Sequence, residues 1–147
     1  MMLLAYCDAS TKGKRAVATT LIMTETTFIT CFSVTYEDVD SSTHAELLSV
    51  LQTVRYIREK CSNARRIVLF NDNLSVVLQF INALANWDVP PGVNNPEIFE
   101  KLLEYSKGMS ISVQHIHGHQ HTHNPNKVCD TLSRLKFELE ENRCSMG

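Results

Sequence analysis

The stretch Leu3-Leu4-Ala5-Tyr6-Cys7-Asp8 is an apolar run that ends in an acidic residue. A second stretch, Ile67-Val68-Leu69-Phe70-Asn71-Asp72, repeats this arrangement further along the chain. Short apolar runs bounded by polar residues are typical of buried strands. If the two strands pair in parallel, Asp8 and Asp72 lie at the same edge of the sheet, where open α/β sheets bind their ligands.

Two further acidic residues stand at joints between predicted elements. Glu46 lies in the first turn of a predicted helix, and Asp130 lies near the start of the last one. Each acid also has a local explanation: Thr43 and Glu46 fit a capping box, and the others fit caps, turns or solvent exposure. As a set at one edge, however, four carboxylates would repel one another unless cations held them. The set therefore favours a divalent-metal site, which suits phosphodiester hydrolysis.

The rest of the sequence predicts the sheet around these acids. Residues 2–8 form the first strand, and residues 16–24 and 27–36 are rich in β-branched and aromatic residues, which predicts a hairpin. Residues 66–71 and 111–116 predict the fourth and fifth strands. The element order β-β-β-α-β-α-α-β-α predicts an α/β fold with a five-stranded mixed sheet flanked by helices.

The helices are predicted from apolar residues that recur at helical spacing. The first follows Ser41-Ser42-Thr43, the third is capped by Asn95-Pro96-Glu97, and the last opens near Asn124-Pro125. Their predicted apolar faces are Leu47, Val50, Leu51, Val54 and Ile57 in the first helix; Leu74, Val77, Leu78, Ile81 and Leu84 in the second; Ile98, Phe99, Leu102 and Leu103 in the third; and Val128, Leu132, Leu135 and Leu139 in the last.

Length and composition indicate one globular domain over residues 1–147. The chain is 44% hydrophobic and 20% charged, and it is long enough to bury a core. Its net charge of −2 counts moderately against tight independent binding to long duplexes. No apolar run approaches the roughly 20 residues that span a bilayer. The five scattered cysteines include no CxxC pair, so we expect reduced thiols in a cytoplasmic protein that does not bind membranes.

Several motifs together resemble the type 1 ribonuclease H family, which includes the RNase H domains of reverse transcriptases. They are Asp8-Ala9-Ser10, His44-Ala45-Glu46-Leu47, Asp72, Asn86-Trp87, His117-Gly118-His119 and Asn126-x-x-x-Asp130. The Gly-His pair followed by Asn-x-x-x-Asp is the most specific part, and the resemblance covers nearly the whole chain. A DEDD-type exonuclease fits less well, because that family begins with Asp-x-Glu and Ser10 replaces the Glu.

The resemblance implies an endonuclease that cuts the RNA strand of RNA–DNA hybrids with two Mg²⁺ ions, for which Mn²⁺ can substitute. Asp8 would bridge both ions, and Asp130 would help hold the ion that activates the attacking water. Glu46 and Asp72 would help hold the ion that stabilises the leaving 3′ oxygen, so that cleavage leaves 5′-phosphate and 3′-hydroxyl ends. His119, in a loop beside the site, would shuttle protons or assist product release.

The resemblance also implies residues that contact the nucleic acid. Ser41 and Asn86 stand where the family binds a DNA-strand phosphate, and His44 occupies the place of an Arg that commonly joins them. We predict that the contact residues are Ser10, Ser41, His44, Asn73, Asn86 and Asn126.

The sequence departs from the family where the family grips its substrate. The loop from Asp88 to Asn95 lacks the lysines and arginines of the family's basic protrusion, and Ser42, Thr43 and Leu74 replace polar residues that usually contact the minor groove. Telling RNA from DNA depends on such contacts. We therefore expect reduced affinity for the hybrid, and a protein partner that supplies a basic surface would raise it. We expect the protein itself to be a monomer.

Two alternatives stay open at the level of sequence. One is a weakly active or non-catalytic RNase H-like nucleic-acid-binding module. The other is a zinc-binding structural protein built on the alternating histidines His115, His117, His119, His121 and His123. The enzyme requires the four acids, whereas the zinc protein requires the histidines and none of the acids.

Overall fold

A five-stranded mixed sheet organises residues 2–116, the part of the chain that the computed structural model describes. The spatial order of its strands is β3-β2-β1-β4-β5. The first three strands are antiparallel neighbours, whereas β4 lies parallel to both β1 and β5. The strands are β1 (Met2–Lys12), β2 (Arg15–Met23), β3 (Phe28–Tyr36), β4 (Arg66–Asn71) and β5 (Ser110–His115).

The predicted parallel pairing of the first and fourth strands is confirmed. The register runs from Met2 opposite Arg66 to Tyr6 opposite Phe70. Asp8 and Asp72 therefore stand two residues beyond the last pair, at the same edge. The prediction that the first strand ends at residue 8 is wrong, because β1 continues to Lys12 through its antiparallel pairing with β2.

Three helices complete the described part of the chain: α1 (Ser42–Lys60), α2 (Leu74–Asn86) and α3 (Pro96–Ser106). Ser41 is the N-cap of α1, and Asn73 is the N-cap of α2. Pro96 begins α3 immediately after Asn95, where its fixed φ suits the first turn and its missing N–H costs nothing. None of these helices is long and apolar enough to cross a membrane.

The main core lies between one face of the sheet and the three helices. On β1 every second residue from Leu3 to Cys7 is fully buried, as the period of a strand requires. The predicted apolar residues of α1 and α3 join this core, with Leu51 partly buried. The α/β fold with a five-stranded mixed sheet and packed helices is therefore as predicted.

The predicted apolar face of α2 is only partly right: Val77 is buried in the core and Leu84 packs against it, but the other three predicted residues are exposed. Leu74, Leu78 and Ile81 are 51%, 56% and 42% exposed, although they are large and apolar. The helix instead packs through residues that include Val76, Val77, Phe80 and Ala83, all of them buried. Because both faces of α2 carry apolar residues, periodicity alone could not indicate which face meets the sheet.

Candidate active site

Three carboxylates from distant parts of the chain meet at the carboxyl edge of the sheet. Asp8, Glu46 and Asp72 each offer an oxygen atom, and these atoms all lie within 4.8 Å of one another. Asp8 and Glu46 are buried, with 3% and 7% of their surface exposed, and Asp72 is half-buried. We call this cluster the acidic triad.

The sheet positions Asp8 at the point where β1 and β4 separate. Asp8 pairs with Thr19 of β2, whereas the pairing of β1 with β4 ends two residues earlier, at Tyr6. Its Oδ1 accepts a hydrogen bond of 2.9 Å from the main-chain nitrogen of Ala9. The side chain thus lies beside the gap between two parallel strands, the place where ligands of α/β sheets bind.

Helix α1 brings Glu46 into the acidic triad, which overturns the capping-box interpretation of this residue. The cap is Ser41, whose Oγ accepts a hydrogen bond of 3.0 Å from the main-chain nitrogen of His44. Ser41 is extended, with φ −162° and ψ 169°, as a helix N-cap requires. Glu46 therefore lies beyond the capping positions, and its carboxylate is buried against Asp8 and Asp72 instead.

The turn from β4 into α2 fixes Asp72 through its neighbours. Asn71 is fully buried, and its Oδ1 accepts a hydrogen bond of 2.8 Å from the main-chain nitrogen of Asn73. Asn73 caps α2 by accepting a bond of 3.1 Å from the nitrogen of Val76. The ring Nε2 of His115 lies 3.0 Å from the main-chain oxygen of Asp72. Asn73, and not Asp72, is the cap, so the Asp72 carboxylate is not needed to start the helix.

The electrostatics of the acidic triad favour an added positive charge. Burial, followed by the charges of Asp8 and Asp72, raises the pKa of Glu46 well above its ordinary value. At an effective dielectric constant of about 20, two full charges separated by 4.8 Å repel by about 3.5 kcal/mol. Three such pairs approach the whole stability of a typical domain, about 5–15 kcal/mol. A proton or a cation must therefore neutralise part of the cluster.

The chemistry of the donor set fits a hard divalent cation. All three groups are carboxylates, which Mg²⁺ and Mn²⁺ prefer, and no Cys or His among residues 2–116 joins the cluster. The nearby thiol of Cys7 is fully buried, and burial together with the charge of Glu46 raises its pKa, so it stays protonated. Protonated thiols are poor metal ligands.

Five of the predicted nucleic-acid contacts lie in the described part of the chain, on β1 and at the ends of α1 and α2. Ser10 is half-buried on β1, two residues after Asp8. Ser41 and His44 share the first turn of α1, where Nδ1 of His44 accepts a hydrogen bond of 3.0 Å from the nitrogen of Asp40. Asn73 and Asn86 stand at the two ends of α2, and Asn86 is exposed.

Several predicted features lie outside the described part of the chain. They are the ligand Asp130, the proton-shuttle residue His119, the contact Asn126, the other histidines after residue 116 and the last helix.

Asn71 was not among the predicted site residues. Its side-chain nitrogen donates to the main-chain oxygen of Cys7 at 3.0 Å and lies 3.5 Å from Oε1 of Glu46. The signal that could have identified it is an amide side chain inside an otherwise apolar strand, because a polar side chain buried there requires partners.

Comparison with known proteins identifies the family and the fold. A sequence model of the RNase H family matches residues 2–138. Ribonuclease HI of Helicobacter pylori is 33% identical over 105 residues, which are 69% of either chain. The described acids Asp8, Glu46 and Asp72 fall inside the matched family region.

Two solved structures share the fold at low sequence identity. RNase H1 of the halophilic archaeon Halobacterium salinarum superposes with a TM-score of 0.72 at 17% identity, over 94% of this chain and 98% of that one. LC11-RNase H1, crystallised in complex with an RNA/DNA hybrid, superposes with a TM-score of 0.69 at 13% identity, over 90% of this chain and 94% of that one. The family match, the sequence relative and the shared fold together establish that this chain belongs to the RNase H family of ribonuclease enzymes.

Proposed function

We propose that the protein is a metal-dependent endonuclease that hydrolyses the RNA strand of RNA–DNA hybrids and leaves 5′-phosphate and 3′-hydroxyl ends. The observation that carries the proposal is the acidic triad, because Asp8, Glu46 and Asp72 place oxygen atoms within 4.8 Å of one another at a ligand-binding sheet edge. A cluster of buried carboxylates has little use in a protein that only binds phosphates. The RNA/DNA hybrid bound by LC11-RNase H1 supports the choice of substrate.

Asp8, Glu46 and Asp72 would hold two Mg²⁺ ions, or Mn²⁺ in their place, and Asp130 would be the fourth ligand. The bound ions would generate the nucleophile from water and stabilise the leaving 3′ oxygen. The fit is supported by the closeness of the three carboxylates and by the raised pKa of Glu46, which reflects burial and two neighbouring carboxylates. A bound divalent cation would offset that repulsion, so that all three carboxylates could stay ionised.

The chain's own residues orient and shield this centre. Burial of Asp8 and Glu46 keeps bulk water away from their carboxylates, which strengthens their interaction with cations. The N-terminal turn of α1, with Ser41 and His44, presents donors and a positive helix end to a phosphate. We further propose contacts from Ser10, Asn73, Asn86 and Asn126, and proton transfer by His119.

We expect the protein on its own to bind the hybrid weakly. Residues 88–95 carry no lysine or arginine, so they offer phosphates no positive charge. We propose that the protein acts as a cytoplasmic monomer over a single domain, and that a basic protein partner strengthens binding. A nucleic-acid-binding module without activity is the alternative, and it predicts binding of the hybrid without cleavage.

The decisive experiment incubates labelled RNA–DNA hybrid, duplex RNA and duplex DNA with the protein in Mg²⁺ or Mn²⁺. We expect cleavage of the RNA strand of the hybrid alone, with products that carry a phosphatase-sensitive 5′ end. Asp72→Asn should lower the rate by orders of magnitude, because it removes one charge from the acidic triad.

Asp88→Asn is the matched control, since Asp88 is exposed and its Oδ1 accepts a hydrogen bond of 2.8 Å from the adjacent Val89 nitrogen. This variant should cleave like the wild type. Failure of the wild type to cleave the hybrid, or equal cleavage by Asp72→Asn, would contradict the proposal. Binding without cleavage would select the non-catalytic module.

A further inference from the structure

A cationic pocket lies at the end of the sheet opposite the acidic triad. It has a volume of about 340 Å³ and is lined by residues that include Arg58, Arg65 and Lys107. Arg65 and Met109 of its wall directly precede β4 and β5, whereas Asp72 follows β4. A strand of six residues is roughly 20 Å long, so the pocket and the acidic triad are separate sites.

Within residues 2–116, the positive charges of this pocket are not paired with carboxylates. No Asp or Glu of that range lines the pocket, and no ion pair there involves Arg58, Arg65 or Lys107. Two arginines outside the pocket do form ion pairs, Arg15 with Glu37 and Arg55 with Glu59. The unpaired cations are therefore a local property of the pocket.

Hydrogen bonds to main-chain oxygens hold the two guanidinium groups in place. Arg58 donates through one Nη to the carbonyl of Lys107, and Arg65 donates through one Nη to that of Ser62 at 2.8 Å. The main-chain nitrogen of Ser110 donates to the oxygen of Arg65 at 2.7 Å, which ties the starts of β4 and β5 together. Each guanidinium has five donor hydrogens, so most of them stay available to a ligand.

The net charge of the pocket stays positive after the helix dipoles are included. The pocket receives the C-terminal ends of α1 and α3, each of which contributes about −0.5 of a charge. Three full positive charges against these two ends leave an excess of about two. The arginines therefore do more than neutralise helix ends.

Apolar side chains line the floor of the pocket. Cys61 and Met109 are partly exposed to the pocket, whereas Ile57 and Ala64 lie behind them and are at most 1% exposed. A pocket of about 300–1,000 Å³ with an apolar wall and a few fixed polar groups is typical of small-molecule sites. Its composition suits a ligand with an anionic head and an apolar body.

We propose that this pocket binds a phosphate monoester, with the phosphate held by Arg58, Arg65 and Lys107 and an aromatic or aliphatic body against Cys61 and Met109. The planar fork of an arginine matches the oxygens of a phosphate, and Ser62 adds a hydroxyl at the rim. This site requires neither the acidic triad nor a metal ion, so it is independent of RNA hydrolysis.

The test titrates the whole protein with adenosine 5′-monophosphate by calorimetry and by amide chemical shifts, in EDTA so that the acidic triad cannot recruit the ligand through a metal. Adenosine and inorganic phosphate are titrated separately. We expect saturable binding of the monophosphate, weaker binding of phosphate alone, and shifts at residues 57–65 and 107–109. Equal affinity for inorganic phosphate would assign the site to the free anion and would overturn the role of the apolar floor.

Variants separate the pocket from general charge effects. Arg65→Gln and Lys107→Gln should each weaken binding about tenfold, because each loses a charge-assisted contact. Lys107→Gln keeps the main-chain oxygen that holds Arg58. Arg55→Gln is the matched control, since it removes one charge from α1 outside the pocket. Absence of saturable binding, or equal weakening by Arg55→Gln, would overturn the proposal; unchanged melting temperatures verify that the variants fold.

Discussion

The side-chain nitrogen of Asn71 lies 3.5 Å from Oε1 of Glu46 while it donates to the main-chain oxygen of Cys7 at 3.0 Å. One buried amide thus joins β1, β4 and the carboxylate that α1 contributes to the acidic triad. The same side chain accepts from the main-chain nitrogen of Asn73 and so also fixes the start of α2. A residue that touches none of the reacting atoms can therefore set the position of Glu46.

We expect Asn71→Ala to lower both stability and turnover. Loss of its buried hydrogen bonds should destabilise the fold by about 1–3 kcal/mol. Without Asn71, Glu46 is held less firmly, which should lower kcat and raise the Mg²⁺ concentration that gives half-maximal activity. Both are measured well below the melting temperature of the variant. Ser106→Ala is the control, because Ser106 is also fully buried and donates to the oxygen of Leu102, far from the site. Should both variants lose stability equally and keep the wild-type Mg²⁺ dependence, Asn71 is only structural.

The raised pKa of Glu46 predicts a pH dependence of stability in the metal-free protein. The folded state keeps a proton that the unfolded chain releases near the ordinary value of 4.5. The stability that this proton contributes is fully present below that pH. It is lost as the pH rises through the pKa of Glu46 in the folded state. Glu46→Gln should flatten this decline of the melting temperature. Glu59→Gln, an exposed change on the same helix, should leave it intact, and a decline unaltered in Glu46→Gln would count against the assignment.

Mg²⁺ should stabilise the wild type through the acidic triad. A ligand at ten times its Kd that binds only the folded state adds about 1.4 kcal/mol, which thermal unfolding detects. Asp8→Asn should abolish most of this gain, because it removes a central carboxylate. Ca²⁺-free buffer and Asp88→Asn serve as controls. If millimolar Mg²⁺ leaves the melting temperature of the wild type unchanged, the metal site is not preformed.

Packing of α2 predicts opposite outcomes for two apolar residues on the same helix. Phe80 is fully buried, so Phe80→Ala should cost about 3–5 kcal/mol. Leu78 is 56% exposed, so Leu78→Ala should cost less than about 1 kcal/mol. Urea denaturation of both variants measures the difference. Comparable losses would show that α2 presents its other face to the core.

Capping of α1 predicts a similar contrast. Ser41→Ala removes the oxygen that accepts from the nitrogen of His44 and should cost about 1 kcal/mol. Thr43→Ala, within the helix, should change stability by less than about 0.5 kcal/mol. Chemical denaturation distinguishes the two, and a larger loss in Thr43→Ala would restore the capping box that pairs Thr43 with Glu46.

Much of the fold could be predicted because its signals are local. Apolar runs and turn residues predicted all five described strands. The acids that end or follow two of these runs predicted that negative charge gathers at the carboxyl edge of the sheet. The first strand was predicted too short, since its extension past Asp8 depends on pairing with β2, which the run itself does not contain.

The sequence by itself determined the order of the elements, the acidic residues and the motifs that mark the family, because these depend on residues close together in the chain. Only the tertiary structure decided that Ser41 caps α1, that α2 packs through Phe80, and that Asn71 reaches Glu46. Each of these depends on which of several similar neighbours a side chain contacts. Three consecutive hydroxyl residues offer three possible caps, and a helix with two apolar faces offers two ways to pack, so tertiary packing selects one.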